Sequence, residues 1–138
     1  MSDPMALENA PAVHGWERLL ARLAVAGAWP LTKLSPRRLR RVLTLVHRGA
    51  APATYGQALA ARESVVAVSV RCAGQGCLHR ALATALLCRM RGVWPVWCSG
   101  VRTEPFRAHA WVEAERLPVG EPFPTGYYTA TLTVPPCR

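Results

Sequence analysis

The spacing of apolar residues changes along the chain, and the change divides it into a helical front and a strand-rich back. Trp16, Leu19, Leu20 and Leu23 recur at helical spacing and predict a first helix that stops near Gly27 or before Pro30. Ser35 followed by Pro36 joins a capping side chain to a proline suited to a first turn. Leu39, Val42, Leu43 and Val46 then form one stripe of a second helix. Thr54, with Gln57 as a capping-box partner, opens a third helix through Ala58 to about Val70, although its valine-rich end from Val65 reads equally well as a strand. Gly74 to Gly92 gives a glycine-rich turn, an apolar helix with Leu78, Leu82, Ala85 and Leu86 on one side, and a glycine stop.

Beyond Gly92 the period shortens. Trp94, Val96, Cys98 and Val101, then Ala108 to Val112, then Tyr127 to Val134 read as strands punctuated by proline and glycine, and they predict an antiparallel sheet. The expected fold class is α+β around one core. Met1 to Gly15 lack apolar periodicity and read as a flexible start, leaving residues 16–138 as a single domain. Within it, 16–48 form a helical docking segment and 54–138 the catalytic part.

Composition narrows the class. The 138 residues are 51% apolar and 18% charged, which fits a packed domain rather than a largely disordered chain. The longest apolar stretch, Leu23 to Leu31, is far short of the roughly 20 residues needed to span a bilayer. Five cysteines without regular spacing and no export signal point to free thiols in a reducing cytoplasm. A net charge of +9 suits an acidic protein partner, a membrane surface or nucleic acid. No nucleic-acid motif supports the last. Arg37, Arg38, Arg40 and Arg41 make a basic ridge on the second helix, either a solvated face or a site for an acidic partner.

The candidate chemistry centres on Cys77. At the first turn of its helix, free backbone N–H groups and the helix dipole favour a thiolate over the ordinary thiol. Gly74 and Gly76 open the backbone there, so the Cys77 amide, with Gln75, is the candidate oxyanion site. His109, among small neighbours on a predicted strand, is the candidate general base. Glu113 shares its strand face without being placed to hold the ring, and Glu115 lies further along. Glu121, after Leu117 and Pro118 on what would be the next strand, can fold back beside His109 and is preferred as the third member. Cys72, Cys88 and Cys98 read as small buried hydrophobes, and His14, His47 and His79 as surface or packing residues. A zinc site from Cys72, Cys77, His79 and Cys98 lacks paired cysteine spacing, and no metal is expected.

The segments RCAGQGCLHRALATALLCRMRGVWPVWCSGVR and PFRAHAWVEAERLPVGEPFP, with the tail TGYYTATLTVPP, resemble the leader peptidase of lasso-peptide biosynthesis, a transglutaminase-like family. The similarity covers most of residues 55 to 136 and combines a cysteine at a helix start, a helix ending in Arg-Gly, and a His-Ala-Trp strand. The resemblance implies a transglutaminase-like cysteine-peptidase fold and a Cys77, His109, Glu121 triad that hydrolyses the leader–core bond of a ribosomally made precursor peptide. Glutamate stands where such triads usually carry aspartate. It also implies the split form of the system, with a separate leader-recognition protein, an ATP-dependent lasso cyclase acting on the freed core amine, and no cofactor. A noncatalytic peptide-binding module of the same fold and an acyl transferase are the alternatives.

Overall fold

Side-chain caps start two helices at the predicted positions. In the computed structural model, which describes residues 15–136, helix α1 spans Gly15–Leu31 and helix α2 spans Pro36–Val46. The Ser35 hydroxyl accepts the Arg38 N–H at the start of α2. Strand β1 is Ala51–Pro52, and helix α3, Tyr55–Val68, opens on a complete capping box. There the Gln57 N–H donates to Thr54 Oγ1 at 3.1 Å and the Thr54 N–H to Gln57 Oε1 at 2.9 Å. Apart from Gly15, the expected flexible start lies outside the described residues, as do His14 and Cys137.

One helix boundary differs from the sequence reading, and one alternative it left open is decided. Helix α1 runs through Pro30 instead of stopping before it. Proline in the last turn leaves most of the hydrogen-bond ladder intact, and Thr32 closes the end with its N–H and hydroxyl on the Trp29 carbonyl. The valine-rich end of α3 is helical rather than extended, because Val65 and Val66 are buried in the core. Ser69 then caps a single turn, α4, Val70–Ala73.

Helix α5, Cys77–Met90, is the hub of the molecule. It packs against α1 and α3 and against strands β3, Val96–Arg102, and β4, Arg107–Ala114. Its apolar surface therefore extends beyond the one predicted side: Leu82, Ala83, Thr84, Ala85, Leu87 and Cys88 are all buried, whereas Leu78 and Leu86 are half-buried. Buried Ala21, Ala24 and Ala28 of α1 provide the small surfaces for close helix packing.

Strand β2, Val93–Trp94, pairs in parallel with β1. The main sheet has the order β5-β4-β3-β6, with β5 Leu117–Pro118 and β6 Thr129–Val134, and all its pairs are antiparallel. The fold is α+β, with a helical layer on a small antiparallel sheet. Trp94 and Trp97 are fully buried, and the Trp94 indole N–H donates to the Val134 carbonyl at 2.9 Å. His47 donates from Nδ1 to the Pro135 carbonyl at 2.7 Å, tying the end of α2 to the tail.

Register places Gly100 of β3 between His109 of β4 and Ala130 of β6, beside a bulge. A Cβ at Gly100 would stand 2.2 Å from the Thr129 carbonyl oxygen, so a side chain there forces β6 away from the sheet. Gly100→Ala is expected to cost about 3 kcal/mol, lowering the thermal midpoint on the order of 10 °C. A scanning-calorimetry midpoint equal to wild type would contradict this packing.

Candidate active site

The entry to α5 forms by a tight turn rather than by a side-chain cap. Gly76 is the N-cap residue, and Cys77 begins the helix. Buried Arg80, one turn along, donates through Nη1 to the carbonyls of Cys72 at 3.0 Å and Gly74 at 3.1 Å. This fixes the loop immediately before Cys77 to the helix that carries it.

Strand β4 brings His109 to that helix end. The imidazole packs against a cluster of rings, near-parallel to Trp111 at 5.9 Å and to Tyr128 at 5.1 Å, with Phe123 edge-on at 5.4 Å. These rings restrict its rotation. Trp111 is itself held by an indole hydrogen bond of 2.8 Å to Glu113, which confirms that Glu113 shares the strand face without reaching His109. Glu115 instead accepts the Tyr55 N–H at 2.7 Å.

Glu121 reaches His109 from a loop after β5, not from a further strand. Gly120 turns the chain with φ 67°, and a Cβ there would approach the Arg62 side chain to 2.9 Å. The turn thus lets Arg62 and Glu121 lie together. His109 Nε2 donates to Glu121 Oε1 at 2.9 Å, while Arg62 Nη2 donates to Glu121 Oε2 at 3.4 Å. The loop accommodates the extra methylene of glutamate. With Nε2 engaged, Nδ1 is the ring nitrogen left to serve Cys77.

The electrostatics are mutually reinforcing. Burial pushes the Cys77 thiol up, but hydrogen bonds with His109 and the Ala110 backbone, helped by the charges of His109 and Arg80, bring it below its ordinary value. Burial pulls His109 down, yet its bonds to Cys77 and Glu121 raise it to about 9. Burial also opposes ionisation of Glu121, and the His109 hydrogen bond with the charge of Arg62 holds its carboxyl below the ordinary range. By contrast, burial pushes the Cys88 and Cys98 thiols up to about 12 and raises Cys72. The geometry therefore favours a thiolate–imidazolium pair at Cys77 and His109.

A family model for the transglutaminase-like superfamily matches residues 21–133. The chain belongs to that superfamily. No curated protein and no solved structure matches it significantly. In a transglutaminase-like domain this arrangement suits cysteine-peptidase or acyltransferase chemistry, which share an acyl-thioester intermediate.

Cys77, Gln75, His109 and Glu121 line one cleft of about 560 Å³. The oxyanion expectation needs a correction, because the Cys77 N–H is turned onto the Gln75 carbonyl at 2.9 Å and is occupied there. Gln75 itself is exposed at the cleft, so its amide groups are the available donors in this transglutaminase-like site. Arg62 and Arg80 support the site but were absent from the sequence reading. Their only sequence signal is an arginine within an apolar helix, a signal shared with many exposed arginines.

The remaining candidates lie elsewhere. Cys72 is buried, Cys98 sits on β3, and His79 is buried with Nε2 on the Val25 carbonyl at 2.8 Å. Among the described residues no His, Cys, Asp and Glu side chains form a metal-binding group. None of the described helices is long and apolar enough to cross a membrane. The four arginines of the ridge, Arg37, Arg38, Arg40 and Arg41, are all exposed on α2, and Arg37, Arg40 and Arg41 together with Arg48, Thr44 and Leu45 line a groove of about 350 Å³.

Proposed function

We propose that this protein is a cysteine peptidase that removes the leader from a ribosomally made lasso-peptide precursor. The observation that carries the reading is the single cleft shared by Cys77, His109 and Glu121, with the thiol lowered and the imidazole raised. The resemblance of the Cys77 helix and the His-Ala-Trp strand to leader peptidases supplies the substrate class.

In the first step the Cys77 thiolate attacks the last leader carbonyl, forming an S–C bond, with Gln75 donating to the developing oxyanion. The C–N bond then breaks as the His109 imidazolium gives its proton to the departing core amine. In the second step neutral His109 takes a proton from water, the hydroxyl adds to the thioester carbon, and the S–C bond breaks. This releases the leader acid and restores the thiolate and imidazolium. Glu121 orients the ring and stabilises its charged form. These steps require no metal or organic cofactor, and the freed amine suits macrolactam closure by an ATP-dependent cyclase.

The test is product mass after incubation of a candidate precursor with this protein and its recognition partner. A leader acid plus a free core, together one water heavier than the precursor, supports hydrolysis. A leader joined to an added amine supports acyl transfer instead, and an intact precursor contradicts the leader-peptidase assignment.

The helical front is proposed to dock the leader-recognition protein or the leader itself in the cytoplasm. Helix α1 exposes Trp16, Leu19 and Leu23, and the four groove arginines of α2 suit an acidic surface. Reversing Arg37, Arg40, Arg41 and Arg48 to glutamate is expected to weaken partner affinity on the order of tenfold or more. Arg38→Glu should have a smaller effect. Equal affinity for wild type and the quadruple variant by calorimetry would remove this docking surface.

A further inference from the structure

The catalytic cleft continues into a second pocket of about 290 Å³. Arg107, Pro122, Phe123 and Tyr128 form walls common to both, while Pro124 and Tyr127 belong to the second alone. The second pocket contains neither Cys77 nor Gln75 in its walls. The two aromatic rings among these shared walls, Phe123 and Tyr128, both pack against His109. The pocket therefore lies on the His109 side of the reacting centre.

Direction follows from the proposed chemistry. The acyl carbon is bonded to Cys77 sulfur, and the departing nitrogen must reach His109 to receive its proton. A substrate crossing from Cys77 to His109 thus passes from its acyl part to its amine part. Continued in that sense, the amine-side segment meets the aromatic pocket.

Resting on the peptidase reading, we infer that the pocket bounded by Phe123, Pro124, Tyr127 and Tyr128 is a specificity subsite for a large apolar, preferably aromatic, side chain in the first two residues after the scissile bond. Apart from Arg107 at the wall shared with the cleft, the lining supplies ring faces and proline edges, with no carboxylate. Phe123 and Tyr127 stack at 5.8 Å, and Tyr127 meets Tyr128 edge-on at 5.2 Å, so the surface is a continuous aromatic corner. Arg102 lies over Tyr127, 4.4 Å from its centroid, and donates to its hydroxyl, fixing the outer ring. Phe123 and Tyr128 also restrain His109, so occupation of this corner is coupled to the position of the proton donor.

Acyl-enzyme partition tests the subsite without the natural precursor. p-Nitrophenyl acetate acetylates the thiolate with loss of nitrophenolate, and the His109 imidazolium, no longer facing a thiolate, gives its proton to solvent. The acetyl group then passes to water or to an added amine, whose N–C bond forms as the S–C bond breaks and whose proton passes to His109. Intact-protein mass spectrometry reads the acetyl group on Cys77, and chromatography reads the products, with Cys77→Ala as the chemical background. Phenylalaninamide and glycyl-phenylalaninamide are compared with alaninamide and glycyl-alaninamide. At least one phenylalanine nucleophile is expected to exceed its alanine counterpart in aminolysis-to-hydrolysis ratio by about tenfold. Tyr127→Ala, and independently Phe123→Leu, should reduce that preference in protein that still forms the acetyl-enzyme. Acetylation with equal partition for phenylalanine and alanine overturns this inference alone. Absence of Cys77 acetylation overturns the nucleophile assignment and the subsite with it.

Discussion

Cys77→Ala is expected to lower precursor cleavage by at least about 10⁴-fold, because loss of a nucleophile removes the covalent route itself. The change deletes only a half-buried sulfur at the start of α5, so the fold should persist. It also takes away two contributions that raise His109, its hydrogen bond and its charge interaction with Cys77. In the alanine variant the His109 titration should therefore move down from about 9, which can be followed by NMR alongside product formation. His109→Ala should show a comparable rate loss. Retention of near-wild-type cleavage in either variant would mean that the reaction uses other groups.

Glu121→Gln is expected to produce the second large effect, a rate loss of about 10²–10⁴-fold together with a stability loss of about 3 kcal/mol. The carboxylate faces both the His109 imidazole and the buried Arg62 guanidinium, and its side chain is only 4% exposed. Replacement removes the negative charge from both contacts. His109 loses its Glu121 hydrogen bond and attraction, so the alkaline limb of kcat/KM should move down from about 9. Cys77 keeps less imidazolium beside it, so the acid limb should move up from the lowered thiol value. The active pH range narrows from both sides.

The stability sign follows from the lowered Glu121 carboxyl. Its stabilisation is fully present above the unfolded value, near 4.5, and disappears as pH falls through the lower folded value. The melting difference between wild type and Glu121→Gln should consequently shrink in acid. A pH-independent difference, or unchanged kcat/KM limbs, would contradict the role of the Glu121 charge.

Local chemistry made several parts of the fold legible in the sequence. Ser35–Pro36 and the Thr54–Gln57 pair specify helix starts through groups a few residues apart, and both caps form. The strand texture of Ala108 to Val112, between proline- and glycine-punctuated stretches, likewise specifies a strand. Long-range packing was less legible. Pro30 stays helical because it occupies a final turn closed by Thr32, and α5 is buried beyond one face because α1, α3 and the sheet surround it.

The same distinction applies to the site. Cys77 and His109 stood out through their immediate neighbours, and the structure brings both to one cleft with Glu121. Glu121 nevertheless sits on a loop, whose direction depends on the Gly120 turn over Arg62. Nothing local distinguishes the buried Arg62 and Arg80 from the exposed arginines of α2. Their roles arise from contacts that only the folded chain creates: Glu121 for Arg62, and the Cys72 and Gly74 carbonyls for Arg80.

The most direct measurement is acid-quenched mass spectrometry of the protein during cleavage of its precursor in the presence of the recognition partner, with Cys77→Ala run in parallel. The account predicts a transient thioester on Cys77 whose added mass matches the leader acyl group, followed by free leader acid, with neither species formed by the variant. Leader release by Cys77→Ala at the wild-type rate, with no adduct on either protein, would contradict it.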